Sequence, residues 1–168
     1  CNRLALDEHL RTRVEHEARL PTAERSSLTV LFVDVDHFKR FNDALGHAVG
    51  DGLLVEVAAR VVASAGDHAY RIGGDEFVAV VDGLDDAGTA LLSDRLIRSF
   101  DPPVVVEDHE MAATVSVGAA HWSGGDTDPE PDASELLQRA DLALYRAKEL
   151  GRGRSAVFDP AMAGRAEQ

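Results

Sequence analysis

The chain has one cysteine, Cys1, so it forms no internal disulfide, and a fold held together by cross-links is excluded. Basic residues are scarce: 17 Lys and Arg stand against 30 Asp and Glu, a formal net charge of −13. A broad basic face of the kind that binds nucleic acid or anionic lipid is therefore missing, and no nucleic-acid partner is expected. No apolar run approaches the roughly 20 residues that span a bilayer, and no charged-then-apolar leader opens the sequence. The histidines are scattered without zinc spacing, with His47 read as a turn residue, and no serine stands in a Gly-x-Ser-x-Gly elbow. Covalent catalysis is thus unsupported. Internal repeats and linkers are absent as well.

The chain has 168 residues, 45% of them apolar and 28% charged. That is enough for one packed core, and a single domain over 1–168 is expected. The opening Cys1-Asn2-Arg3, which lacks an initiator Met, predicts a piece cut from a longer protein. The free thiol suits a reducing compartment, so the cytoplasm is the default location. A chain this acidic can still act on an anionic substrate, provided divalent cations and a few well-placed Lys or Arg residues offset the repulsion.

Leu6, Leu10 and Val14 recur at helical spacing and predict a helix over 4–18, ended by Pro21. Leu28 to Val33 predicts a buried strand that delivers Asp34 at its end. A short helix follows over Phe38 to Leu45, and then a Gly46 to Asp51 turn in which Asp51 is placed to cap the next helix. Ala69 to Ile72 and Phe77 to Val81 read as a hairpin around Gly73-Gly74. Asp85 to Phe100 reads as helix, broken by Pro102-Pro103. Val104 to Val106 with Thr114 to Ala120 suggests a second antiparallel pair. Ser123 to Asp132 is an acidic loop, and Leu136, Leu137, Ala140, Leu144 and Ala147 give the last helix its apolar face. Gly151 is placed to end that helix, and Ser155 to Phe158 forms a final strand. The hairpins require antiparallel pairing, so the expected class is α+β: a mixed or mostly antiparallel sheet covered by helices.

Three clusters carry polar chemistry. Asp34-Val35-Asp36-His37-Phe38-Lys39 puts two carboxylates and an amine in one strand-to-helix turn, where backbone N–H groups are also left unpaired. Asp36 reads first as a helix cap and Lys39 as a solvated first-turn residue, whereas Asp34, at the end of a buried strand, has the stronger claim to a ligand role. Arg71 to Phe77 sets Asp75 and Glu76 beside a Gly-Gly turn. Alone this is an ordinary hairpin, but with acidic groups on a neighbouring strand it makes an all-oxygen divalent-metal site natural. Lys148 and Arg152 lie four apart at the last helix's end, where basic residues also complement the helix dipole.

Taken together, Asp34 to Lys39, Asn42-Asp43, Gly46-His47 through Gly50-Asp51, Arg71 through Phe77, and Ala140-Asp141 through Lys148 with Gly151-Arg152 resemble the GGDEF family in order and spacing. Five motifs in register over nearly the whole chain are far more specific than a single five-letter string. The resemblance implies a palm-like fold related to nucleotide cyclases and polymerases, and a diguanylate cyclase that joins two GTP molecules into cyclic di-GMP. It implies that Asp34, the Val35 carbonyl and Asp75 coordinate Mg²⁺ or Mn²⁺, with Glu76 as a further ligand or proton acceptor. By the same carry-over Phe38 backbone N–H groups, Lys39, Lys148 and Arg152 hold the triphosphate, and Asn42 and Asp51 read guanine. One such domain holds one GTP, so a homodimer is implied, controlled by an upstream sensory or regulatory domain that would also decide any membrane anchoring.

The sequence departs from the family at Ser64-Ala65-Gly66-Asp67, where many members carry an RxxD inhibitory site. The arginine is missing. Two other readings stay open: a catalytically silent domain that binds GTP or cyclic di-GMP, and a structural dimerisation domain.

Overall fold

The computed structural model describes residues 2–125 and 130–165. Cys1 and the middle of the expected 123–132 loop lie outside the described residues. In chain order the elements are α1 (Arg3–Ala18), β1 (Leu28–Val35), α2 (Phe38–Leu45), α3 (His47–Ala65), β2 (Ala69–Arg71), β3 (Glu76–Asp82) and α4 (Asp86–Arg98). There follow β4 (Val104–Val106), β5 (His109–Met111), β6 (Val115–Trp122), α5 (Ala133–Glu149) and β7 (Ser155–Val157).

All eight residues of β1 are buried because helices cover both faces of the sheet around it. Successive side chains point to opposite faces, so Leu31, Val33 and Val35 pack with α3 and α4, while Leu28, Val30 and Phe32 pack with α1 and α5. The five-stranded sheet runs β2-β3-β1-β6-β7. Every pairing is antiparallel except β6 with β7. The expected α+β class, with a mostly antiparallel sheet and helical cover, is what the protein has.

Gly118 on β6 decides how closely α5 approaches that sheet. A Cβ there would overlap the Ala140 carbonyl and the Leu144 backbone, with Leu144 Cα only 2.6 Å away. Its other end is capped by Asp132, whose carboxylate accepts a 2.7 Å hydrogen bond from the Glu135 N–H. At the C-terminus the Gly151 N–H bonds to the Lys148 carbonyl and the Arg152 N–H to the Ala147 carbonyl, both at 3.2 Å. This is a Schellman ending, with Gly151 at φ 114°, as its placement in the sequence predicts.

Three local expectations are corrected. Val104–Val106 pairs with His109–Met111 in a separate small hairpin, and β6 instead lies beside β1 in the main sheet. The His-Glu-Met strand carries no β-rich signal and turns through Glu107 at φ 52°, so a scan for apolar runs passes over it. Asp51 is no helix cap: α3 begins at His47, directly behind Gly46 at φ 88°, which leaves Asp51 in its second turn. Asp36 does not cap α2 either; His37 holds that position in a left-handed conformation with no side-chain cap bond.

Candidate active site

The site is built where β1 and β3 run side by side. Asp34 is directly opposite Glu76 on one flank and Ser116 on the other. Facing residues of an antiparallel pair share a side of the sheet, so the two carboxylates are neighbours on the α1/α5 face. Like charges in that relation are destabilising. At the far end of this face Asp82 pairs with Arg13 of α1, and the side chains between it and the acidic pair are apolar, so Asp34 and Glu76 are not there for packing.

Lys148 closes the arrangement from α5, its Nζ 3.0 Å from Asp34 Oδ2. It and Lys39 are the chain's only lysines. Among the described residues no ion pair reaches Asp75 or Glu76. Burial pushes the Asp34 carboxyl above its usual pKa, the Lys148 hydrogen bond and charge oppose this, and Asp75 and Glu76 add to the rise.

That balance gives a pH dependence with a definite sign. A carboxyl raised in the folded state costs stability when ionised, and the cost disappears as pH falls through its raised pKa toward the ordinary value. Lys148→Met removes the influences that lower it, so the variant's melting-temperature deficit is expected to be largest at neutral pH. It should shrink steadily toward about pH 4 in parallel scans with the parent protein. A deficit independent of pH would mean that Lys148 stabilises by packing alone.

The hairpin that carries Asp75 and Glu76 differs from a tight Gly-Gly turn, since neither glycine adopts a left-handed φ. Gly73 is small for another reason: a Cβ there would meet the Glu76 carboxylate, which folds back over it. Arg71 braces the turn, donating from Nε to the Gly73 carbonyl at 3.2 Å and from Nη2 to the Gly74 carbonyl at 2.8 Å. The Val35 N–H donates to the Asp75 carbonyl at 3.2 Å, which brings the tip against the end of β1.

Beyond β1 the left-handed His37 leads into α2, whose first turn presents Phe38 and the exposed Lys39 with no side-chain cap on its N–H groups. Such a turn is ready for an anion. Asn42, further along α2, lies against Gly50 of α3, where any Cβ would strike its side-chain carbonyl. Gly50 thus lets Asn42 sit beside the neighbour of the exposed Asp51. Asp34, Val35, Asp75, Glu76 and Lys148 are therefore brought together, with Phe38 and Lys39 one turn away. Asn42 and Asp51 form a second group along α2 and α3, and Arg152 stands exposed in the turn after α5. Sequence reasoning missed Gly118 and the bracing role of Arg71, and read Gly50 as a turn residue where it lies inside α3 against Asn42; Gly118 has no signal beyond a glycine inside a regular element.

The donor set fits a hard divalent cation: all oxygen, three carboxylates, with an ammonium already paired to one of them. Among the described residues, three such groups do not yet converge on one point.

A mostly antiparallel sheet with acidic side chains on its central strand and on the adjoining hairpin defines a palm-like α+β domain. Residues 1–154 match the family model described as "Diguanylate cyclase, GGDEF domain", and the chain belongs to that family. It is 36% identical over 170 residues to the bifunctional diguanylate cyclase/cyclic di-GMP phosphodiesterase MucR of Pseudomonas aeruginosa, covering 99% of this chain and 24% of that protein. It is 36% identical over 145 residues to the diguanylate cyclase TpbB of the same species (strain UCBPP-PA14), covering 84% of this chain and 32% of that one. The chain thus spans a third or less of these relatives. The solved GGDEF domain of P. aeruginosa TpbB superimposes with a TM-score of 0.87 at 28% identity, over 99% of this chain and 94% of that one.

Proposed function

We propose that the chain is a diguanylate cyclase domain that condenses two GTP molecules into cyclic di-GMP and two pyrophosphates, working as a two-fold dimer. The observation that carries this is the half-neutralised pair Asp34 and Glu76, opposed across β1 and β3 with Lys148 paired to Asp34. Retaining such a pair at a cost in stability suits a site that handles cations and phosphate.

In this reading Asp34, the Val35 carbonyl, Asp75 and Glu76 hold Mg²⁺ or Mn²⁺, which when bound activates the attacking 3′-hydroxyl and offsets charge on the departing pyrophosphate. Lys39, the Phe38 turn, Lys148 and Arg152 bind the triphosphate. Asn42 and Asp51 read the base, because a carboxylate acceptor pairs with guanine N–H donors that adenine does not offer in that pattern. Each domain supplies one GTP, and the two-fold axis brings the second. An upstream sensory domain would set how often the domains pair.

Binding is tested by melting the protein with GTP or ATP in Mg²⁺. A ligand that binds only the folded state must raise the melting temperature. GTP should do so and ATP should not, and Asp51→Ala should erase the difference; no response to GTP would favour a purely structural dimerisation domain.

The Ser64 to Asp67 stretch supports a second expectation. Ser64 is buried and its carbonyl accepts a hydrogen bond from Arg95, while Gly66 at φ 90° ends α3 and Asp67 is exposed. No guanidinium stands at position 64 to grip a guanine or phosphate. Titration calorimetry should find no tight cyclic di-GMP site here, whereas tight binding lost in Asp67→Ala would contradict this.

A further inference from the structure

Asp36 is 3% exposed, yet its carboxylate does none of the work its sequence position suggests. Oδ2 accepts from Thr114 Oγ1 at 2.7 Å and from the Gly153 N–H at 2.9 Å, and Oδ1 accepts from Ser116 Oγ at 2.7 Å. Its own N–H donates to the Thr114 carbonyl at 2.9 Å. One buried side chain thus joins the end of β1, the start of β6 and the turn that follows α5.

That last turn is backbone under strain. Gly151, Arg152 and Gly153 have φ values of 114°, 61° and 58°, and for Arg152 the left-handed conformation is unfavourable. It persists because each side is tied down: the Arg152 N–H to Ala147, the Gly153 N–H to Asp36, and the Arg154 carbonyl to the Val117 N–H at 3.0 Å. Of these ties only the Asp36 bond reaches the turn between β1 and α2.

We propose that Asp36 is a positioning residue: by clamping Gly153 it fixes the turn bearing Arg152, and the end of α5 bearing Lys148, against the β1–α2 turn bearing Lys39. It touches neither phosphate nor metal. It sets the spacing between two groups of phosphate-binding cations supplied by distant parts of the chain. This rests on the nucleotide reading above.

The test compares GTP with guanosine in the full chain carrying Asp36→Asn and, as a milder change, Thr114→Val. A hydrogen bond to a charged group is lost, so GTP affinity should fall by roughly tenfold for Asp36→Asn and less for Thr114→Val. Guanosine affinity, which needs no phosphate cations, should be unchanged. Adding Asp36→Asn to Arg152→Ala should cost less than the sum of the two single losses, since part of the Asp36 effect acts through Arg152. Should Asp36→Asn unfold the chain, Thr114→Val alone decides by the same GTP-to-guanosine ratio. Equal losses for GTP and guanosine, or full additivity with Arg152→Ala, would overturn the proposal. If the unsubstituted protein fails to bind GTP, the nucleotide reading falls and this proposal with it, an outcome distinct from selective failure in the variants.

Discussion

Replacing Glu76 with alanine is expected to abolish cyclic di-GMP synthesis while raising the melting temperature. The two effects share one cause. Asp34 and Glu76 face each other across neighbouring strands, and among the described residues only Asp34 has an ion-pair partner. Removing Glu76 relieves a like-charge cross-strand pair, worth up to about 1 kcal/mol. For a chain of this size that is a gain of roughly 2–4 °C, read by thermal scanning without metal or nucleotide. Losing a carboxylate that helps hold metal and stabilise developing charge should lower turnover by on the order of a thousandfold or more. A variant that loses activity and also melts earlier would show that Glu76 supports the hairpin, and that its opposition to Asp34 carries no cost.

Gly118→Val is expected to give the largest loss of stability. The new side chain would grow into the Ala140 carbonyl and the Leu144 backbone, and backbone cannot rotate away as the end of a flexible side chain can. Either α5 lifts from the sheet or β6 bends. Overpacking of this kind costs about 3 kcal/mol or more, measurable as a lowered urea midpoint at unchanged slope. Molecules that stay folded should bind GTP poorly, because Lys148 rides on α5 and reaches Asp34 only while that helix is seated. A Gly118→Val protein with the parent's midpoint would mean that α5 is free to shift, and that the close contact with β6 does not position the site.

The parts of the fold that were legible in the sequence are those with a strong period or a strong breaker. β1 announces itself as an apolar run ending in an acidic residue, and α5 by its stripe of Leu and Ala closed by Gly151. The β4–β5 hairpin was not legible, because half of it is the segment His109–Met111, whose single apolar residue, Met111, is buried in the core without any periodic pattern to announce it. Asp51 was misplaced as a cap because Gly46 makes α3 start a turn early, and a glycine's φ cannot be read from its letter.

Within the site, sequence supplied the residues and the structure supplied their relations. The spacing of Asp34, Asp75 and Glu76 marks an acidic cluster, but strand order and register make Asp34 and Glu76 direct neighbours. Lys148 reads equally well as a dipole complement until α5 is seen to bring it to 3.0 Å from Asp34. Asp36 shows the limit most clearly: a residue at a strand-to-helix turn reads as a cap, and its actual partners lie about 80 and 117 positions away. Contacts of that sequence separation leave no local pattern.

The most direct measurement is chromatographic analysis of products after the domain, fused to a dimerising helix, is incubated with GTP and Mg²⁺ beside its Glu76→Ala form. Cyclic di-GMP from the fusion and none from the variant is the expected result. GTP left unconverted by a fusion shown to be dimeric and GTP-bound would contradict cyclase activity and leave a domain that binds nucleotide without joining it.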